Sequence, residues 1–130
     1  MRADPPSVVV LVVDDDDRNR KLARDVLSAA GLTILEAATG QEALVLAAVC
    51  LPDVVLLDLG LPDMAGTEVA RELRRGARTG RIPVVALSAL SDVGGQKWLL
   101  EAGFAGMLSK PIDVRMFPEQ VRGYCAGASD

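Results

Sequence analysis

The groups in this chain that could do chemistry are carboxylates, a hydroxyl and an amine, and each follows a run of apolar residues. Asp14 to Asp17 follow SVVVLVV, Asp58 follows VVLL, Ser88 follows PVVAL, and Ser109 and Lys110 follow GML. The chain contains no histidine. A Ser-His-Asp or Cys-His nucleophile system and a histidine-bearing zinc site are therefore excluded. Any chemistry must rest on carboxylates, hydroxyls or lysine.

These groups fall between segments whose apolar residues alternate between strand and helix patterns. The pattern predicts strands over residues 7–13, 32–36, 53–57, 82–87 and 104–108. It predicts helices over residues 17–30, 40–49, 66–75 and 92–102, and a last helix that restarts at Pro118 and runs to about residue 125. Strands that alternate with helices indicate a doubly wound α/β fold with a parallel sheet.

Two local features refine these helices. In the first helix, Leu22 and Leu27 are expected to share the buried face with Val26 and Ala30. Thr39, followed three residues later by Glu42, predicts a capping box at the start of the second helix.

Length and charge limit the domain count and the partners. The 130 residues suit a single domain over 1–130, with a core from about residue 7 to 125 and flexible tails at 1–6 and 126–130. A formal charge of −4 and a pI near 4.8 argue against nucleic-acid binding. The apolar run near the N-terminus is too short for a bilayer and lacks a signal peptide's layout, so we expect a cytoplasmic protein with no membrane partner.

If the strand order is 2-1-3-4-5, the polar groups that follow the strands converge at one edge of the sheet, where doubly wound folds bind ligands. Crowded carboxylates repel one another unless a cation lies among them. Oxygen ligands of this kind suit Mg²⁺. The sequence therefore predicts that Asp58 is a metal-assisted nucleophile. Taken singly, each group has a plainer interpretation. Asp16 and Asp17 can be solvated residues whose negative charge interacts favourably with the dipole at the start of a helix, and Asp58 can be a turn residue.

Four segments of the chain resemble the signature segments of the receiver domain of two-component response regulators, in the family's order and spacing. They are VLVVDDDDRNR, VVLLDLGLPDMAG, PVVALSA and GMLSKPID. The resemblance covers about residues 8–124. It implies a flavodoxin-like (βα)₅ three-layer sandwich that acts as a phosphoacceptor in phosphorelay signalling and not as a turnover enzyme.

The resemblance also implies a role for individual residues. Asp58 matches the phosphoacceptor, which takes its phosphoryl group from a histidine kinase or a histidine phosphotransfer protein. Asp14 and Asp15 match the acidic pair that holds Mg²⁺, or Mn²⁺ as a substitute, with Asp15 the direct ligand and Asp14 acting through water. The other matches are Gly60 as a backbone-carbonyl metal ligand, Ser88 and Lys110 as phosphoryl-binding groups, and Pro111 as a cis-proline.

Signalling in the family remodels the face formed by the fourth helix, the fifth strand and the fifth helix. The resemblance implies that Ser88 takes part in this switch, that a downstream protein or output domain reads it, and that phosphorylation can promote a homodimer through the same face. Met107 stands where the family has an aromatic residue that changes its rotamer during switching. Without that aromatic ring, repacking of the methionine side chain is the alternative way to transmit the signal.

Several alternatives remain open from the sequence. The chain is either a free-standing receiver, which Met1 and the short C-terminal tail slightly favour, or a receiver fragment of a hybrid kinase or output-domain regulator. An aspartate-dependent phosphatase of the haloacid dehalogenase type is less favoured. That family places its nucleophile at the end of strand one in a DxDx(T/V) arrangement, where this chain has DDDRN over residues 15–19, and the chain lacks the family's cap insertion. The basic residues of the first helix either steer an acidic partner or form a solvated face. They are Arg18, Arg20, Lys21 and Arg24.

Overall fold

A five-stranded parallel sheet forms the centre of the protein. The structure, a computed structural model, describes residues 8–89, 101–110 and 112–125. The strands are β1 (Val9–Val13), β2 (Thr33–Ala37), β3 (Val54–Asp58), β4 (Val84–Ala89) and β5 (Gly106–Lys110). Their order is β2-β1-β3-β4-β5, and every neighbouring pair is parallel. The predicted doubly wound fold and strand order are confirmed.

Four complete helices lie within the described residues. They are α1 (Asp17–Ala29), α2 (Gly40–Cys50), α3 (Gly66–Arg75) and α4 (Phe117–Tyr124). Residues 101 and 102 are also helical, but the rest of the helix predicted over 92–102 lies outside the described residues. None of the described helices is long and apolar enough to cross a membrane.

The strand boundaries differ from the predicted ones by one or two residues, because pairing within the sheet sets them. β4 begins at Val84 and not at Ile82, since Pro83 has no N–H for the ladder. β5 runs from Gly106 to Lys110 because it pairs with Val85–Ala89 of β4. β3 extends to Asp58, which pairs with Leu87.

Apolar side chains alternate between the two faces of the sheet, as the period of a strand requires. Leu11 of β1 and Leu57 of β3 pack under α2 and α3 with Leu73. Val12 and Leu56 pack on the opposite face under α1 and α4, where they join the cluster that contains Leu27, Phe117 and Val121. The two cores make the three layers of the sandwich and hold the strand ends in place.

The prediction that Leu22 belongs to the buried face of α1 is wrong. Ala23 and Leu27 are the buried residues of this helix, whereas Leu22 is 40% exposed. The face toward the sheet is rotated by one residue from the predicted one. Leu22 instead lines a small cavity of about 50 Å³ that it shares with Asp14 and Lys110 at the carboxyl edge of the sheet.

Three carboxylate and hydroxyl groups fix the start of α2. The Thr39 hydroxyl accepts a hydrogen bond from the Glu42 N–H at 3.1 Å, as predicted. The Glu42 carboxylate accepts from the N–H of Ala38 and not from that of Thr39, so the box closes one residue earlier than its standard form. Asp63 accepts bonds from the N–H groups of Gly40 and Gln41 at 2.8 and 3.0 Å, and so ties the β3–α3 loop to α2.

The start of α3 lacks such a cap, which leads to a prediction about stability. Ala65 occupies the cap position in an extended conformation and provides no side-chain acceptor. We expect Ala65→Ser to raise the free energy of unfolding by about 1 kcal/mol, because its hydroxyl can accept from an N–H of the first turn. Urea denaturation measures this change. Ala77→Ser, in an exposed turn, is the control, and an equal gain in both variants would contradict the capping explanation.

Candidate functional site

The carboxyl edge of the sheet brings together three aspartates. Asp14 and Asp15 follow β1 directly, and Asp58 is the last residue of the adjacent strand β3. The Asp14 N–H donates to the carbonyl of Ala37 at the end of β2, which continues the ladder past β1. One oxygen from each of the three carboxylates lies within 4.8 Å of the others. The predicted convergence of these side chains is therefore confirmed.

Lys110 lies between two of these carboxylates. Its Nζ is 3.3 Å from Asp14 Oδ2 and 3.2 Å from Asp58 Oδ1. Burial disfavours the charged form of Lys110, but the neighbouring charges of Asp14 and Asp58 outweigh burial and raise the pKa of the ammonium. Lys110 therefore stays protonated and partly neutralises the acidic cluster.

Asp14 is the most deeply buried carboxylate of the cluster, with 1% of the residue exposed. Burial raises the pKa of Asp14, although the hydrogen bond from the Asp16 N–H and the charge of Lys110 act in the opposite direction; the charge of Asp58 adds to the increase. One ammonium group thus fails to compensate the burial of this carboxylate and its proximity to Asp58. The cluster favours a further cation.

The donor set fits a hard divalent cation. All the clustered side-chain atoms are carboxylate oxygens, the ligand type that Mg²⁺ prefers. Their exposure increases from Asp14, which is buried, through Asp58 to Asp15, which is exposed. Mg²⁺ usually retains several water molecules and takes only one or two carboxylates from the protein. The cluster opens to solvent at Asp15, which leaves room for the water molecules that Mg²⁺ retains.

Ser88 and Gly60 lie next to Asp58. Ser88 is 4% exposed and follows Leu87, the residue of β4 that pairs with Asp58. The Gly60 N–H donates to Asp58 Oδ1 at 3.2 Å, so this oxygen contacts both Gly60 and Lys110. A Cβ at Gly60 would meet no atom within 4 Å. A side chain at position 60 would therefore meet open space.

The sequence matches the family model of the response regulator receiver domain over residues 10–122. The chain belongs to this receiver family. Its members are signalling domains that receive a signal from kinases and act on output targets, and they bind Mg²⁺.

Individual relatives agree with this assignment. The receiver is 35% identical over 124 residues to the polar-differentiation response regulator DivK of Brucella anthropi, a match that covers 95% of this chain and 99% of DivK. The chemotaxis response regulator CheY4 of Vibrio cholerae superposes with a TM-score of 0.85 at 26% identity, covering 92% of this chain and 99% of CheY4. A Francisella response regulator receiver domain gives 0.82 at 27% identity, with 91% and 96% coverage.

The structure places most of the receiver's predicted site residues at one edge of the sheet. Asp14, Asp15, Asp58 and Lys110 converge, and Ser88 and Gly60 flank Asp58. Met107 lies farther back on β5, partly buried against the core beneath α2 and α3. Pro111 is outside the described residues. The functional roles of these residues stay predictions.

The sequence did not reveal what Arg20 does in the receiver. Arg20 Nη1 donates to the backbone carbonyl of Asp14 at 2.9 Å, Nη2 to Asp17 at 2.7 Å, and Nε to Glu36 at 3.2 Å. Arg20 thereby holds the turn that presents the acidic pair. The spacing of three residues from Asp17 was a local signal for one of these contacts. No sequence signal indicated the contact between Arg20 and the Asp14 carbonyl.

The basic face predicted on α1 carries less free charge than the sequence suggests. Lys21 pairs with Asp25 at 2.6 Å, and Arg24 pairs with Glu36 at 3.0 Å. Together with the contacts of Arg20, these pairs reduce the field that this helix can direct at an acidic partner.

Proposed function

We propose that this receiver accepts a phosphoryl group on Asp58 from the phosphohistidine of a histidine kinase or a histidine phosphotransfer protein, with Mg²⁺ or Mn²⁺ held by Asp14, Asp15, Asp58 and the carbonyl of Gly60. The modified receiver then changes its contacts with a downstream protein or output domain. The observation that carries this proposal is the Lys110 ammonium, which lies between Asp14 and Asp58 within a cluster of three carboxylates.

In the transfer step, an oxygen of the Asp58 carboxylate attacks phosphorus. A P–O bond forms, the P–N bond of phosphohistidine breaks, and its electron pair returns to the imidazole nitrogen. Transfer passes through a loose, in-line transition state, so the protein's task is to position the groups and to neutralise the phosphoryl oxygens. Lys110 and the Ser88 hydroxyl contact these oxygens. When bound, Mg²⁺ supplies further positive charge beside them.

The change in charge at Asp58 has a direct route to the rest of the sheet. Ser88 and Lys110 lie on neighbouring strands, where Ser88 pairs with Ser109, the residue before Lys110. A phosphoryl group that draws both side chains toward Asp58 shifts β4 and β5 together. Met107 is unbranched and partly buried, so it can repack when β5 moves. The face formed by the helix predicted over residues 92–102, by β5 and by α4 then changes. This face is the proposed surface for a target protein or for a homodimer.

The same proposal places the protein in the cytoplasm, where kinases present phosphohistidine. A turnover phosphatase is not favoured, because the chain belongs to a family of signalling domains. Both a free-standing receiver and a receiver within a longer regulator fit this function.

Acetyl phosphate provides the test without a cognate kinase. We expect one phosphoryl group per chain to appear in the presence of Mg²⁺ and none after chelation. The label should be sensitive to hydroxylamine, as an acyl phosphate is, and borohydride reduction should map it to the last residue of β3. Release of many equivalents of phosphate from a phosphate monoester would instead indicate a phosphatase, and a hydroxylamine-resistant label would place the group on a hydroxyl.

A further inference from the structure

A second charged site lies at the opposite edge of the sheet from Asp58. α3 runs back across the sheet and ends at Arg75, on the side where β5 begins. Here the structure has a cleft of about 320 Å³. Its lining residues are Arg71, Arg74, Arg75, Glu101, Ala102 and Gly103. None of them belongs to the proposed phosphorylation site.

The sequence around the cleft is unusually rich in arginine for an acidic chain. The protein has 14 lysine and arginine residues and a net charge of −4. Five of its arginines fall within the segment from residue 71 to residue 81. They are Arg71, Arg74, Arg75, Arg78 and Arg81. The first three line the cleft, and the last two do not.

The guanidinium groups in the cleft have few partners of their own. Among the described residues, Arg71 makes no hydrogen bond or ion pair. Within the same part of the chain, Arg74 has a single contact, of 3.5 Å, with the carbonyl of Gly103. Arg75 is 3.6 Å from Glu72, and both side chains are largely exposed, so this pair is weak. Most of the donors on these three side chains are available to a ligand.

One of the last carbonyls of α3 is satisfied without these arginines. Basic side chains near a helix C-terminus often bind its last carbonyls. In this helix the Leu73 carbonyl already accepts from the Thr79 hydroxyl at 2.6 Å and from the Gly76 N–H at 3.2 Å. Capping of the Leu73 carbonyl therefore does not account for the three arginines beside the cleft.

The chemistry of the lining suggests the ligand. The guanidinium group of an arginine can bind two oxygens of a phosphate at once. Three arginines therefore offer more donors than a single phosphate can use. The fourth charged group, Glu101, repels additional phosphates but can accept a hydrogen bond from a ribose hydroxyl. A volume of about 320 Å³ lies at the lower end of the roughly 300–1,000 Å³ that small-molecule sites occupy. We propose that this cleft binds a nucleoside diphosphate.

Gly103 lets the Arg74 side chain approach the backbone closely. Gly103 has a φ of +106°, and a Cβ there would lie 2.6 Å from Cδ of Arg74. The absence of a side chain lets the stem of Arg74 lie against the backbone at Gly103, whose carbonyl accepts from Arg74 Nη1 at 3.5 Å. In the proposed complex, the arginines hold the diphosphate and Glu101 contacts the ribose.

Calorimetric titration of the full chain with ADP, AMP and pyrophosphate, all without divalent metal, tests the assignment. ADP should bind saturably and more tightly than AMP. The double variant Arg71→Gln/Arg74→Gln should weaken ADP binding on the order of 100-fold, the loss of charge-assisted hydrogen bonds from two side chains. The matched variant Arg78→Gln/Arg81→Gln removes the same charge outside the cleft and should bind ADP as the wild type does.

Glu101→Leu removes the acceptor for the ribose together with the charge that opposes the phosphates. The affinity for ADP should therefore fall relative to that for pyrophosphate, which has no ribose. Equal losses in the two double-arginine variants, no saturable binding of ADP, or preferred binding of a glutamate-rich peptide would each overturn the proposal. Magnesium-dependent labelling by acetyl phosphate, measured on the same variants, reports on Asp58 separately and verifies that they are folded.

Discussion

Replacing Lys110 with glutamine is expected to slow the phosphorylation of Asp58 on the order of 100-fold and, at the same time, to strengthen Mg²⁺ binding several-fold. The first effect follows because the ammonium neutralises a phosphoryl oxygen in the transition state, and losing one such donor commonly costs about 10²–10³ in rate. The second follows because Lys110 lies 3.3 Å from Asp14 and 3.2 Å from Asp58, where its charge opposes that of the metal.

The opposite signs of the two effects distinguish this role from general damage to the site. A disordered site would bind Mg²⁺ less tightly and would also react more slowly. The rate is measured by labelling with acetyl phosphate at saturating Mg²⁺, and the affinity by calorimetry. Lys21→Gln removes the same charge from an exposed position that pairs with Asp25 and should change neither quantity. Weaker Mg²⁺ binding by the Lys110 variant would be inconsistent with the proposed arrangement.

Local sequence patterns predicted the elements of the fold better than their ends. α3 begins and ends where its apolar periodicity predicted, at Gly66 and Arg75. The strands shifted because a strand's limits depend on the neighbour with which it pairs. Pro83 was a local signal for the later start of β4 that the prediction did not use. The limits of β5 follow from its pairing with β4, which no pattern within the β5 segment contains.

The site shows the same division between what was predictable and what was not. Asp14, Asp58 and Lys110 were predicted to meet because parallel strands end at a common edge, and that rule requires only the strand order. Asp63 was missed because its partners, Gly40 and Gln41, are more than twenty residues away and depend on the path of a loop. Contacts from loops to helix ends carry no periodic signal.

Asparagine at position 14 should stabilise the metal-free protein and weaken its binding of Mg²⁺. The pKa of Asp14 is raised above its ordinary value of 3.8, mainly by burial. As pH rises from 3.8, the unfolded chain releases the proton of Asp14 before the folded protein does, so the free energy of unfolding falls until the raised pKa is passed. A neutral side chain of the same shape removes this cost.

We expect Asp14→Asn to raise the free energy of unfolding at neutral pH, without metal, by on the order of 1 kcal/mol. The amide oxygen can still accept from the Asp16 N–H, and Lys110 keeps Asp58 as a partner. The variant should also lack the contribution of Asp14 to the pH dependence, which is a fall in stability as pH rises above 3.8. The affinity for Mg²⁺ should fall roughly 10- to 100-fold, as when a group that supports a metal site is lost.

Asp15→Asn is the matched control for Asp14→Asn, because it removes a carboxylate from the same cluster at an exposed position. It should weaken Mg²⁺ binding without the gain in stability, since an exposed carboxylate has not been desolvated. Urea denaturation at several pH values in the presence of a chelator, followed by magnesium titration, measures both effects. If Asp14→Asn proved less stable than the wild type at neutral pH, the buried carboxylate would have to be a net stabilising group, held by Lys110 more strongly than burial opposes it.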